Sequence, residues 1–185
     1  MALPSAVEAL WSELQAVREK VLKEAEGLSQ GQADWRPSDT DWSVGEILHH
    51  LTLAEINTGK LTSKLVKETD AAGKLAPYPT DLRAFTPMPP PAPGPMEAPP
   101  VVRPEKGHPI AQLLADMKAT RERSRQSIER LGSVDPRPLT WKHFSLGELN
   151  LAQWWMLQAR HDGDHLQQLR AVKASRGFPG GLRRG

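Results

Sequence analysis

Two histidines four residues apart, His161 and His165, are the residues whose type and spacing best fit a chemical role in this chain of 185 residues. They lie in a stretch with the hydrophobic periodicity of an amphipathic helix. On a helix, residues i and i+4 lie on the same face, one turn apart, so both imidazoles can ligate one metal ion. An isolated HxxxH also arises by chance, with each histidine at the surface or hydrogen-bonded in the core, so the pair alone does not establish a site.

A metal site would need a third ligand from another element, and the candidates are His49, His50, His108 and His143. His50 is favoured because it lies on the inward stripe of a second amphipathic segment, from which His49 is turned by about 100°. His108 directly precedes a helix, where a loop or cap role fits better. A helix running from His143 to His161 would be about 27 Å long, so His143 is expected to lie too far away.

Composition restricts the chemistry further. The chain has no cysteine, which excludes disulfides, thiolate nucleophiles and sulfur-ligated zinc, so a metal must be bound by nitrogen and oxygen. The formal net charge is only +2, and basic residues near Arg121 are interleaved with acidic ones, which favours a solvated helix face over a nucleic-acid surface. No leader-like segment and no apolar run of membrane-spanning length occurs. We expect a cytoplasmic protein with a small-molecule substrate and with neither nucleic acid nor membrane as partner.

Hydrophobic periodicity predicts four long helices, over about residues 5–26, 43–70, 109–131 and 145–176. Since there is little strand signal, the prediction is an all-α four-helix bundle that forms a single domain over residues 1–185. In such bundles, sites are built between helices from inward-facing side chains.

Capping signals place the starts of these helices. Ser5 with Glu8, and Ser43 with Glu46, match the Ser-x-x-Glu capping box. The segment that begins at Ser145 repeats the Ser43 motif almost residue for residue, so the second and fourth helices are expected to start in the same way. A role for Glu46 as a hydrogen-bond partner behind the metal ligands is the alternative to capping.

Most of the 17 prolines lie between residues 71 and 109, which predicts a long extended crossover over residues 71–108. Three roles fit this crossover: a passive linker, a proline-rich ligand for a recognition domain, and a lid over the site.

Three motifs in this order resemble the DinB-like superfamily of bacterial four-helix-bundle metalloproteins: Trp42–Leu51, Ser145–Glu148 and His161–Leu166. The resemblance covers roughly residues 5–175. It implies a metal ion held by His50, His161 and His165, the same trio that helical geometry favours.

Three neutral imidazoles would leave a divalent metal ion with an open position, as in catalytic sites. Zinc or nickel fits such ligands best, and iron or manganese is compatible with them. The resemblance implies a metal-dependent hydrolase or a low-molecular-weight-thiol S-transferase and does not choose between them. The alternative is a non-catalytic, dimeric stress-response or binding protein with a structural metal or none.

Three further polar residues are candidate partners of the site. Asp162 stands where the HExxH motif of zinc proteases has its glutamate, but its shorter side chain and the helical-bundle context argue against a protease. Gln158 and Glu55 are weaker candidates for groups behind the ligands. Apolar residues away from the metal-facing stripe of the last helix predict a homodimer through helix faces: Leu151, Trp155 and Met156.

Overall fold

The computed structural model describes residues 2–90 and 97–180, in which helices dominate. The four long helices are α1 (Ser5–Ala25), α3 (Val44–Ala71), α4 (Ile110–Leu131) and α5 (Leu151–Ala174). A short helix α2 (Gln30–Asp34) lies between α1 and α3, and an antiparallel hairpin precedes α5, formed by β1 (Thr140–His143) and β2 (Gly147–Asn150). Helix α3 packs against α4 and α5, and α1 packs against the same two helices, which confirms the predicted all-α bundle.

The amphipathic helices bury their apolar faces inside this bundle. Trp155 is the largest fully buried side chain, and its indole donates a hydrogen bond to the Thr62 hydroxyl, 3.0 Å away. Leu151 is also fully buried, and Met156 packs against the same cluster. The surface argument for a homodimer is therefore wrong, because these residues complete the chain's own core; homodimerisation itself stays a prediction. Within the described residues, no helix has the length and apolar character needed to cross a membrane.

The start of α3 confirms the predicted capping box. The Ser43 hydroxyl accepts a hydrogen bond from the amide of Glu46, and the Glu46 carboxylate accepts one from the amide of Ser43. Arg36 binds the same carboxylate, with Nε 2.7 Å from Oε2. Glu46 is thus occupied by capping and by an ion pair, which confirms capping over a role behind the metal ligands.

The start of α5 differs from the prediction. The segment that begins at Ser145 forms the turn and second strand of the hairpin, and α5 begins only at Leu151. Gly147 has a φ of +78°, a left-handed conformation that ends the hairpin turn and cannot continue a right-handed helix. The helix is instead capped by Asn150, whose side chain forms a capping box with Gln153.

Two smaller differences lie near the N-terminus. Helix α1 begins at Ser5 as predicted, but Pro4 occupies the cap position and no side chain caps the helix, so the predicted Ser5–Glu8 capping box is wrong. The stretch between the first two predicted helices, residues 27–42, contains α2, which is capped by a reciprocal pair of hydrogen bonds between Ser29 and Gln32.

The crossover between α3 and α4 has little regular structure in its described parts, 72–90 and 97–109. One turn of 3-10 helix occurs at Pro100–Val102, and Pro77 forms an isolated bridge with Val134. The prolines at 91, 93 and 95 lie outside the described residues. The turn at Pro100–Val102 packs against α3, which brings this part of the crossover to the histidines described next.

Candidate metal centre

Three histidine side chains from two helices converge on one point. Nε2 of His161 lies 2.9 Å from Nε2 of His50 and 3.0 Å from Nε2 of His165. His50 projects from α3, whereas the other two lie one turn apart on α5. The structure therefore brings together the three predicted ligands, and within its described residues the group that could hold a metal ion consists of these three side chains. We call them the histidine cluster.

Hydrogen bonds behind two of the rings determine which nitrogen carries the proton. Nδ1 of His50 lies 2.6 Å from the carbonyl oxygen of Val102, and Nδ1 of His165 lies 2.6 Å from the amide oxygen of Gln168. Both oxygens can only accept, so each Nδ1 is protonated and donates. The Nε2 atoms of His50 and His165 consequently present lone pairs to the shared point, as metal ligation requires.

The surroundings keep the cluster uncharged at neutral pH. Burial lowers the pKa of His50 to about 4. Burial and the neighbouring His165 and His50 lower the pKa of His161 well below its usual value. Burial also lowers the pKa of His165, against the opposing effect of Gln168. Neutral imidazoles are the form that binds metals, since no proton must be removed.

The donor set fits a divalent metal ion. Zinc with Zn–N bonds of about 2.0–2.1 Å would hold tetrahedral imidazole nitrogens about 3.3 Å apart, within a few tenths of an ångström of the two distances from Nε2 of His161. Nδ1 of His161 is buried without a hydrogen-bond partner among the described residues. Trp42 covers the cluster from one side, with its ring nearly parallel to that of His165 and 5.9 Å from it.

The histidine cluster lies in the wall of a cavity of about 620 Å³. Its lining comes from α3 and α5, from the hairpin and from the crossover, where Val101 and Val102 contribute. Most of the lining is apolar, and four aromatic rings are prominent in it: Trp42, Trp141, Phe144 and Trp154. A cavity of this size can hold a small organic molecule beside the cluster.

A family model for the DinB superfamily matches residues 13–169. The chain belongs to the DinB superfamily. The matched part begins within α1 and includes all three residues of the histidine cluster. A search of curated proteins and a search of solved structures gave no significant match to this DinB protein.

His143 lies where the sequence argument did not place it. A helix was expected from Ser145 onward, but the hairpin folds the chain back, and His143 lines the same cavity as His161. Its ring packs against Trp154, with ring centroids 5.3 Å apart. The predicted separation of His143 from the site is therefore wrong, although His143 is not part of the histidine cluster. The residues next to His143 in the sequence do not indicate whether it lines a cavity or simply precedes a helix.

The other two histidines lie outside the cluster, as predicted. The ring centroids of His49 and His108 are 4.3 Å apart. Nδ1 of His49 accepts a hydrogen bond from the amide of Glu105, 3.0 Å away. His49 and His50 thus contact the crossover from adjacent positions of α3.

The polar candidates around the cluster have other partners. Asp162 and Glu55 are fully buried in ion pairs with Arg18 and Arg121, and neither carboxylate forms a hydrogen bond with a ring of the histidine cluster among the described residues. Gln158 lines the cavity and donates a hydrogen bond to Thr58, while its Oε1 has no partner among the described residues. The prediction that Asp162 is not the general base of a zinc protease agrees with this arrangement. We call Arg18, Glu55, Arg121 and Asp162 the buried charge network.

Proposed function

We propose that this DinB protein is a metal-dependent enzyme in which His50, His161 and His165 hold a divalent metal ion beside the cavity. The observation that carries the proposal is the convergence of three imidazole Nε2 atoms in the wall of a space large enough for a substrate. Structural zinc sites are usually closed by four protein ligands, whereas catalytic sites have three and an open position. Zinc or nickel is the proposed metal, and iron or manganese is compatible with imidazole ligands.

When bound, such a metal lowers the pKa of a water or thiol and polarises a substrate oxygen. The chain's own residues supply position and environment. Val102 and Gln168 hold two of the rings through their Nδ1 protons, and Trp42 packs against the cluster. The apolar cavity beside the cluster excludes bulk water from a bound substrate, which strengthens electrostatic interactions there. These features serve a hydrolase and a low-molecular-weight-thiol S-transferase equally.

The competing function is a non-catalytic stress-response or binding protein with a structural metal or none. Elemental analysis and metal titration of the purified chain address the metal, and turnover addresses catalysis. Two screens divide the two enzyme classes: ester, amide and phosphate substrates in water, and electrophiles supplied with low-molecular-weight thiols.

We expect turnover in one screen, its loss after chelator treatment and its return with added zinc or nickel. The matched control is His108→Ala, which removes a histidine outside the cluster and should behave like the unmodified chain, whereas His161→Ala should be inactive in every metal. Full turnover of the chelated chain would overturn the proposal. A metal-loaded chain with no turnover in either screen would favour the non-catalytic function.

A further inference from the structure

We propose that His143 and Arg160 form a carboxylate-binding pair in the cavity and that the substrate is a small carboxylate with an aromatic or other bulky apolar body. This inference rests on the proposed function, because it assigns a substrate class to the same cavity. Three features of the cavity support it: the proton on His143, the positive charge of Arg160 and the apolar rim.

The hairpin turn determines the tautomer of His143. Its Nδ1 lies 3.3 Å from the amide nitrogen of Ser145, 3.3 Å from that of Leu146 and 3.2 Å from the Ser145 hydroxyl. A backbone N–H can only donate, so Nδ1 must be an unprotonated acceptor. Neutral His143 therefore carries its proton on Nε2, at the edge of the ring that faces away from the turn.

The same ring is held in place by packing. Phe144 and Trp154 lie against it, with centroid distances of 4.4 and 5.3 Å, and Trp154 is itself anchored by a hydrogen bond to the carbonyl of Trp141. Burial and the nearby Arg160 lower the pKa of His143, which keeps it in the neutral, Nε2-protonated form. No acceptor among residues 2–90 and 97–180 takes this proton from the ring, although the ring lines the cavity.

Arg160 brings a cation to the same place. Its Nη1 donates to the carbonyl of Pro89, 2.9 Å away, and no carboxylate of the described chain lies within ion-pair distance of it. The other charged residues that line the cavity are Lys142, on the exposed strand β1, and the carboxylates Glu97 and Asp164. A half-buried guanidinium without an anion is a suitable partner for a ligand carboxylate, which it can bind through two parallel hydrogen bonds.

The apolar rim of the cavity accounts for the aromatic or other bulky apolar body of the proposed substrate. Three large apolar side chains are conspicuously exposed in the described parts of the chain, and all three line this cavity: Val101 at 62%, Trp141 at 44% and Phe144 at 58%. Val101 belongs to the crossover, and Trp141 and Phe144 belong to the hairpin. Exposed apolar surface grouped around a concave site is typical of a surface that a ligand covers.

Benzoate is the probe for this inference, and benzyl alcohol is its uncharged counterpart. Their binding to the chelator-treated chain is measured by calorimetry, so that the carboxylate cannot bind to a metal ion instead. We expect benzoate to bind more tightly than benzyl alcohol. His143→Phe keeps a flat ring but removes the donor, and it should weaken benzoate binding about tenfold or more while changing benzyl alcohol binding little.

Arg160→Met should weaken benzoate binding in the same way, and His108→Phe, which changes a histidine outside the cavity, is the matched control. His143→Gln retains a donor and should lose less than His143→Phe, which also covers the case in which the phenylalanine variant folds poorly. Nitrogen NMR of the histidine rings should show Nδ1 of His143 unprotonated. Equal binding of the two probes, or unchanged benzoate binding by His143→Phe, would overturn the inference.

These results are separable from those for the proposed function. Failure of the chain to bind zinc or nickel would refute the metal site while the benzoate measurements stood. Conversely, a chain that binds metal through the histidine cluster and discriminates neither probe would refute only the carboxylate-binding pair.

Discussion

Asp162→Asn is the substitution that best separates a structural role from a chemical role in the last helix. Asp162 lies between two proposed ligands in sequence, yet it is fully buried and points about 100° away from His161 around α5. Arg18 binds it through two contacts, Nε to Oδ2 at 2.9 Å and Nη2 to Oδ1 at 3.0 Å, and Arg121 adds a third at 3.2 Å. Glu55 accepts from the same two arginines, so two positive and two negative charges balance within the core.

The expected cost follows from this balance. The asparagine leaves two buried guanidinium groups with one carboxylate and turns an amide donor toward arginine donors. Removing one member of a buried ion pair costs about 3–5 kcal/mol of unfolding free energy. For a chain of this length, about 2–4 °C of melting temperature is lost per kcal/mol, so Tm should fall by about 6–20 °C.

The assay is urea and thermal unfolding followed by circular dichroism, together with zinc titration of the same variant well below its Tm. Asp164→Asn is the matched control, because it makes the same change two residues later at an exposed position, where the effect should stay within about 0.5 kcal/mol. Zinc affinity should change little in both variants. Equal stability of the two variants would refute the charge-balance argument, and loss of zinc binding without loss of stability would place Asp162 at the metal.

Three further predictions concern the site and its pH range. Alanine variants of the histidine cluster should each lose tight zinc binding, whereas those of the other three histidines should retain it; a zinc titration with normal affinity in any cluster variant would contradict the ligand assignment. Gln168→Leu should weaken zinc binding about tenfold because His165 loses the acceptor of its Nδ1 proton, and Gln167→Leu, an exposed neighbour on the same helix, should not. Burial raises the pKa of Glu55, but Arg18 and Arg121 lower it by more, so it lies below the usual 4.5. A lowered pKa stabilises the fold above the unfolded value, so the free energy of unfolding by urea should be maintained near neutral pH and should decrease as the pH falls below about 4.5.

The parts of the fold that were predicted correctly depend on local signals. Helix α3 was predicted over 43–70 and spans Val44–Ala71. The prediction succeeded because an apolar stripe and a capping box depend only on residues a few positions apart in the sequence. The meeting of the histidine cluster follows from the same periodicity, since His50 lies on the inward stripe of α3. Metal binding by the histidine cluster remains a proposal. The short distances between the three Nε2 atoms and the Nδ1-protonated tautomers of His50 and His165 support it.

The failure at Ser145 shows what a local motif does not contain. The two Ser-x-Gly-Glu segments use glycine for different reasons. At Gly45, a side chain would meet the carbonyl oxygen of Ala33 at 3.3 Å, so glycine permits α2 to pack closely against α3. At Gly147, the need is a left-handed φ of +78°. Only a tertiary contact distinguishes the two cases, and such contacts cannot be derived from four residues.

The proposed metal ligands were predictable from the sequence, whereas much of the cavity wall was not. The ligands lie on regular helices, where the period of 3.6 residues fixes which side chains share a face. The rest of the cavity wall comes from the hairpin and the crossover, whose conformations depend on contacts with the bundle. One of those contacts, from Nδ1 of His50 to the carbonyl of Val102, also sets the tautomer of a proposed ligand. The crossover is therefore more than a linker: the residues that shape the cavity also orient a proposed ligand, so a change in this segment should affect substrate fit and metal affinity together.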